Sequence, residues 1–353
     1  WTPRSCTIDL SFLSEGNYEA EIFADGINAD REATDYKKRS THRHCQRQTQ
    51  CTTGTRRWMD STNYKKMNLR KLFLPLCSVA LCLQSYAQNK SFLKDMLWYI
   101  DNPSVFEKGQ EEGHAWHMPE KSMLLNGTWK FFWCDTPEGI PAHFFNPEFP
   151  DKQWGDIKVP SNWEMQGYGD KLFRNVSAPF GVNPPHAPKE YNPTGLYRRT
   201  FKVPASWAAK DQIFLRFEKV ASASFVWVNG HEVGYNEGAQ EPAEYNITPY
   251  LKPGENTLAV CVLKYSDGYY LEGQDYWRLA GIFDDVWLYA TPAVRIFDWQ
   301  VITEFDNTYT DSQLSIQVKI KDYQKKPSEN YGLKAYLKDK NGKIICNFSA
   351  NSI

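Results

Sequence analysis

Between Leu263 and Val286 the chain reads LKYSDGYYLEGQDYWRLAGIFDDV. The rings of Tyr269, Tyr270, Tyr276 and Trp277 fall among the carboxylates of Asp267, Glu272 and Asp275. This mixture suits a sugar: flat C–H faces stack on rings, and hydroxyls hydrogen-bond to Asp, Glu, Asn and Gln. The same composition also describes a well-packed aromatic rim on an ordinary β-sandwich. Gly268, Gly273 and Gly281 interrupt the stretch at irregular intervals, which predicts shaped loops between short strands.

A second stretch of this kind is NVSAPFGVNPPHAPKEYNPTG, Asn175 to Gly195. Its five prolines restrict φ along a segment without periodicity, so tertiary contacts must complete its shape. Pro184-Pro185 is a candidate for a cis bond. Ordered loops of this length commonly carry function.

The elements that position these loops read as short strands. In Ser122–Cys134, Asn126-Gly127 precedes Trp129, Phe131 and Trp133 on alternate positions, a turn feeding a half-buried strand. Further β-runs follow at Ile157–Val159, Leu196–Val203, Gln212–Phe217, Ser224–Val228, Asn256–Leu263 and Val286–Tyr289. No long segment of period 3.6 is evident, and residues 88–120 read as an extended arm with a breaker at Asn102-Pro103. The fold expected is all-β. Residues 88–291 suit one jelly-roll sandwich with long loops. Residues 292–353 alternate over four further strands, with a hairpin turn at Asn341-Gly342. They read as a truncated immunoglobulin-like sandwich, a fold of about seven strands.

The chain's 353 residues allow two or three domains. Thirteen tryptophans and 15% aromatic residues support large cores. A net charge of −1 gives no global field toward nucleic acid or membrane. The eight cysteines form no metal-type cluster.

The first third differs from the rest. Residues 1–36 hold two arginines against eight acids, and residues 37–66 hold nine Lys/Arg against Asp60 alone. The basic part has almost no aliphatic residues and cannot bury enough surface to fold alone. At Met67 the style changes to MNLRKLFLPLCSVALCLQSYAQ. A basic start, an apolar run over Leu72–Leu83 and Ser85-Tyr86-Ala87 before Gln88 give the layout of a secretory signal peptide over 67–87. The run is short for a stable membrane span. The expectation is a secreted, periplasmic protein starting at Met67, with residues 1–66 read through from upstream sequence.

Two resemblances sharpen this reading. Ile8–Leu13, Tyr18–Phe23 and Ala29-Asp30-Arg31 make residues 1–40 similar to the C-terminal β-domain of family 97 glycoside hydrolases, with a disordered basic segment over 41–66. Residues from about 124 to 304 resemble the sugar-binding domain of family 2 glycoside hydrolases, in the β-galactosidase branch. The motifs are Leu125–Phe131, Val159–Met165, Asn175-Val176 with Pro179, Val182–Pro185, Asn192–Gly195, Trp227–Gly230 and Gln274–Phe283.

The family 2 resemblance implies a jelly roll, an immunoglobulin-like domain and then a TIM barrel. It implies hydrolysis of terminal non-reducing β-D-galactose with retention, by two glutamates of a barrel that this chain does not contain. It implies that Asn175 and Asp275 contact the sugar, that Asp275 also holds sodium, and that magnesium ligands belong to the barrel. The partner expected is a galactoside or galactose-containing glycan, and the full-length protein is free to oligomerise. Other roles stay open: a loop-capping amide for Asn175, a salt bridge to Arg278 for Asp275, and surface or rim positions for Glu241, Glu244 and Glu272. A stand-alone carbohydrate-binding module is the alternative function.

Overall fold

The computed structural model describes residues 18–26, 92–174, 178–207, 209–272, 275–324 and 331–351. The segment 67–87, expected to be a signal peptide, and the basic segment 41–66 lie outside these residues, as does Asn175.

Among the described residues two antiparallel sheets form the main sandwich. One has seven strands in the order Glu107–Lys108, His231–Asn236, Ala223–Val228, Glu255–Leu263, Thr194–Lys202, Gly127–Cys134 and Gly155–Val159. The other has four: Ala243–Asn246, Gln212–Phe217, Val286–Thr291 and Ser122–Leu124. The order is non-sequential and the expected strands are present, as a jelly-roll sandwich requires.

Strand Glu255–Leu263 shows how the core is organised. After Glu255 every residue is buried, because both faces of its sheet are covered. Leu258, Val260 and Val262 point into the core between the sheets, with Trp129, Trp163, Tyr197 and Phe217. Ala259, Cys261 and Leu263 point the other way, into a second cluster with Phe144, Phe225, Trp227 and Tyr235. The period-2 alternation of a strand therefore serves two cores at once.

That second cluster corrects one expectation. Residues 92–99 are α-helical, not extended. Phe92, Leu93, Met96, Leu97 and Ile100 stand at helical spacing and face the outer side of the seven-stranded sheet. Met96 and Ile100 are fully buried there.

Beyond Pro292 the four expected strands run Val294–Phe305, Ser312–Asp322, Tyr331–Asp339 and Ile344–Asn351. The first two pair with each other, and Tyr331–Asp339 pairs with Ile344–Asn351. Ile316, Val318, Ile320, Tyr331 and Leu333 form their common core. On its other edge Tyr331–Asp339 pairs with Tyr18–Gly26, from Tyr18 opposite Asp339 to Gly26 opposite Tyr331. The described part of the N-terminal segment thus lies as an added strand on the second sandwich. Among the described residues no helix is long and apolar enough to cross a membrane.

Candidate functional site

Three turns carry the loops of interest at one end of the main sandwich. The first follows Val159-Pro160, a cis peptide, and forms a short 3-10 turn over Trp163–Gln166. The second is the Pro-rich loop, which contains the second cis bond, Pro184-Pro185, as its sequence suggested. The third is the loop from Lys264 to Ala280.

The necks of these loops are tied together by buried polar groups. Asn192 Nδ2 donates to the Tyr265 carbonyl at 2.9 Å, and the Tyr265 amide donates to Asn192 Oδ1 at 3.0 Å. Asn192 is fully buried, so this reciprocal pair satisfies an amide that burial would otherwise penalise. Gly195 follows because the Trp163 ring lies against its backbone: a Cβ there would sit 2.6 Å from Trp163 Cζ3. The Asn-Pro-Thr-Gly motif is thus a joint between the Pro-rich loop and the loop carrying Asp275.

Glu164 makes a second joint. Its Oε1 lies 2.6 Å from Lys264 Nζ, and its Oε2 accepts from the Ala280 amide at 2.9 Å. One buried carboxylate therefore holds both ends of the 264–280 loop. The Trp163 amide adds a bond to the Ala280 carbonyl at 3.0 Å. Gly281 completes the arrangement with φ +123°, where a Cβ would meet the Ser161 carbonyl at 2.9 Å.

Within the loop, Asp267 Oδ1 accepts from the Gly268 amide and caps a 3-10 turn over Gly268–Tyr270. Glu272 is anchored by the Ala239 amide at 2.9 Å, and burial pushes its pKa up. Behind it, burial pushes Glu237 up to about 9, with the Tyr235 hydroxyl and Asp267 as neighbours.

The loop then enters a two-stranded ribbon. Leu172 pairs with Arg278, Phe173 with Trp277 and Arg174 with Tyr276. Asp275 is the next residue outward from Tyr276, and its side chain is exposed. Asn175 follows Arg174 in sequence but lies outside the described residues. The Phe173 and Trp277 rings meet edge to face at 5.7 Å, each about half exposed. An acceptor-only carboxylate beside open ring faces can accept sugar hydroxyls and stack a pyranose.

Other expectations meet the structure unevenly. Among the described residues no ion pair joins Asp275 to Arg278. The Arg278 guanidinium is instead buried, with Nη1 3.5 Å from the Glu272 carbonyl and the Tyr269 and Tyr276 rings beside it. Among the described residues no group of three or more His, Cys, Asp or Glu side chains could hold a metal ion. Asp275 by itself does not provide the oxygen shell that a hard cation takes.

Glu244 is no rim carboxylate. It is 3% exposed and receives His114, Arg216 and Arg295 at 3.2, 3.3 and 3.2 Å. Glu272 is half-buried and Glu241 exposed. Sequence reading missed Glu164 and Lys264, whose only local sign is a charged pair inside otherwise apolar surroundings.

The elements around this site fall within the part of the chain that is similar to a known family. Residues 122–292 match the family model described as "Glycosyl hydrolases family 2, sugar binding domain". Residues 1–56 match "Glycosyl-hydrolase 97 C-terminal, oligomerisation", so that likeness runs into the basic segment. Curated relatives include β-galactosidases. That of Priestia megaterium is 40% identical over 265 residues, 69% of this chain and 25% of its own. That of Pectobacterium atrosepticum is 43% identical over 226 residues, 63% of this chain and 21% of its own. The chain thus spans about a quarter or less of the length of the curated relatives it matches. A solved β-glucuronidase from an uncultured Clostridium sp. has a TM-score of 0.49 and 21% identity, over 69% of this chain and 40% of its own.

Proposed function

We propose that this chain is the N-terminal portion of a retaining β-galactosidase and supplies one wall of its galactose pocket. The observation carrying this reading is the ribbon of Leu172–Arg174 with Tyr276–Arg278. Its register sets Asp275 one residue beyond the pair Arg174–Tyr276, at the end where residue 175 follows. Asp275, expected to touch the sugar, so leaves that end of the ribbon. The identities of 40% and 43% to β-galactosidases support galactose as the terminal sugar.

In this reading Asp275 and Asn175 accept and donate hydrogen bonds to hydroxyls of a non-reducing galactose. Sodium is a proposed second partner of Asp275. The acid and nucleophile, and any magnesium ligands, belong to a barrel outside this chain. The protein is secreted to the periplasm by the 67–87 segment, and the 88–291 and 292–353 boundaries separate its two sandwiches.

Two measurements test the proposal. The purified chain is expected to show no turnover of a nitrophenyl β-galactoside, and measurable turnover refutes the missing-barrel reading. Galactose titrated into the chain should bind weakly, with Asp275→Ala lowering that affinity at least tenfold, about 1.4 kcal/mol. Equal galactose affinity in the wild type and Asp275→Ala removes Asp275 from the pocket.

A further inference from the structure

Glu237, Asp267, Glu272 and Asp101 come together where the 264–280 loop leaves the seven-stranded sheet. Glu237 stands one residue past the strand His231–Asn236, Asp267 and Glu272 belong to the loop, and Asp101 follows the helix over 92–99. Glu237 is 5% exposed and Asp267 6%. We propose that Glu237 and Asp267 share one proton at neutral pH, and that this carboxyl–carboxylate bond is a latch on the 264–280 loop, released when the proton leaves in mild alkali. The latch concerns the loop itself and stands whether or not Asp275 contacts a sugar.

The oxygens are arranged for such a bond. Glu237 Oε1 accepts from the Tyr235 hydroxyl. Its other oxygen lies against the start of the loop: a Cβ on Gly268 would stand 3.5 Å from Glu237 Oε2. Asp267 Oδ1 accepts from the Gly268 amide at 2.9 Å. Asp267 Oδ2 is buried, and among the described residues no N–H or hydroxyl serves it. The neighbour that can is the Glu237 carboxyl, which lies within hydrogen-bond reach of Asp267. Two ionised carboxylates offer only acceptors, so the bond exists only while one of them keeps its proton.

The charges around the pair favour keeping it. From its own strand Glu237 faces the Tyr235 phenol, with Tyr245 behind it, and from the loop it faces Asp267 and Glu272. From the helix end Asp267 faces Asp101. His186 Nδ1 lies 3.4 Å from Asp101 Oδ2, on a half-exposed ring, and the Arg278 guanidinium turns to the Glu272 carbonyl rather than to its carboxylate. Among the described residues these acids are not arranged to hold a metal ion. Two buried carboxyl groups in contact cannot both ionise. Glu237 is the one that stays protonated: burial, then the bond to Asp267 and the charges of Asp267 and Glu272, push it up to about 9. Asp267 receives the Gly268 amide, which favours its ionised form.

The two carboxyl groups belong to parts of the chain that must stay together. The Glu237 amide donates to the Phe106 carbonyl at 3.0 Å, which ties it to the edge of the sheet. The Asp267 amide donates to the Ile100 carbonyl at 2.8 Å, and its side chain caps the 3-10 turn over Gly268–Tyr270. The shared proton therefore joins sheet to loop close to the Glu164–Lys264 pair. Its departure turns that bond into a repulsion between two buried anions.

Urea unfolding of the full chain between pH 5.5 and pH 10, wild type against Glu237→Gln, tests the shared proton. The glutamine accepts from Tyr235 and donates to Asp267 at every pH. The folded wild type holds a proton that the unfolded chain has released above about 4.5, so this stabilisation is complete below that value and is lost as pH rises through about 9. The ratio of wild-type to variant unfolding constants should rise about tenfold per pH unit up to about pH 9 and level off beyond it. Asp267→Asn, whose amide donates to an ionised Glu237, should remove the same rise and gives the reading a second route if Glu237→Gln fails to fold. A ratio that stays constant from pH 5.5 to pH 9.5 shows Glu237 ionised in the folded protein and overturns the proposal. Hydrogen exchange of peptides from 264–280 tests the latch. At pH 6.5 wild type and Glu237→Gln should exchange alike, and at pH 9.5 the wild type should exchange faster. Equal exchange at pH 9.5 overturns the latch, because a residue that merely packs the loop would act alike at both pH values.

Discussion

Glu164 and Lys264 are 100 residues apart in sequence and 2.6 Å apart in space, with side chains 0% and 5% exposed. Their pairing fixes where the loop carrying Asp275 begins, and the second oxygen of Glu164 on the Ala280 amide fixes where it ends. A carboxylate that gripped only the lysine would leave the far end of the loop free to hinge. One that gripped only the amide would leave a buried ammonium without a counter-charge. Glu164 does both because its two oxygens point to opposite ends of one loop.

Removing it should therefore be costly. Glu164→Ala leaves Lys264 buried and unpaired, and the expected loss is about 3–5 kcal/mol in urea unfolding. Removing both charges as Glu164→Leu with Lys264→Met should recover most of that loss, because the uncompensated charge is gone. It should not restore galactose affinity, since the Ala280 amide still lacks its acceptor. A Glu164→Ala variant within 1 kcal/mol of the wild type would show that the pair does not hold the loop.

Sequence patterns reached the sandwich more readily than its joints. Short alternating runs separated by Gly, Pro and Asn turns predicted most strands within a residue or two, because period 2 and turn chemistry are local properties. The helix over 92–99 was obscured by the Asp101-Asn102-Pro103 breaker that ends it, although Phe92, Leu93, Met96, Leu97 and Ile100 already carried its spacing. Its reason for folding is not local: it covers the outward-facing Ala259, Cys261 and Leu263. Glu244 was misread for the same cause, since its partners His114, Arg216 and Arg295 come from three distant segments. Asp275 was legible as a motif residue, but its exposure and its lack of a pair with Arg278 depend on where the ribbon leaves the sandwich.

Gly281 offers a test of loop geometry that touches no charge. Its φ of +123° disfavours any L side chain, and an added Cβ would stand 2.9 Å from the Ser161 carbonyl and 2.9 Å from the Tyr197 hydroxyl. Neither backbone nor a fully buried tyrosine can move cheaply. Gly281→Ala should lose about 2–4 kcal/mol in urea unfolding, combining the backbone strain with overpacking. Because Ala280 and Ile282 meet Trp163 and Ser161 through backbone bonds, the loss should be accompanied by a changed Trp163 environment in near-ultraviolet circular dichroism. Wild-type stability in Gly281→Ala would mean that this corner of the loop is not held as tightly as its contacts imply.

Glu244 gives the chain an acid limit, and the sign follows from its surroundings. Burial pushes its pKa up, but hydrogen bonds from His114 and Tyr289 and the Arg295 charge outweigh this and hold it at about 2, against an ordinary 4.5. The native state thus binds this proton less readily than the unfolded chain does. The stabilisation is complete above about pH 4.5 and disappears as pH falls from there through about 2, amounting to about 3 kcal/mol. The group also joins the architecture: its strand belongs to the main sandwich, His114 to the N-terminal arm, and Arg295 to the first strand of the second sandwich. Arg216 reinforces the joint by lying over the Trp116 ring at 4.0 Å. Glu244→Gln should be less stable than the wild type at pH 7 because Arg216 and Arg295 lose their counter-charge, and the gap should narrow steadily between pH 4.5 and pH 2.5. Urea unfolding at a series of pH values measures that gap directly. A gap that stays constant across this range would mean that Glu244 is not ionised in the folded protein.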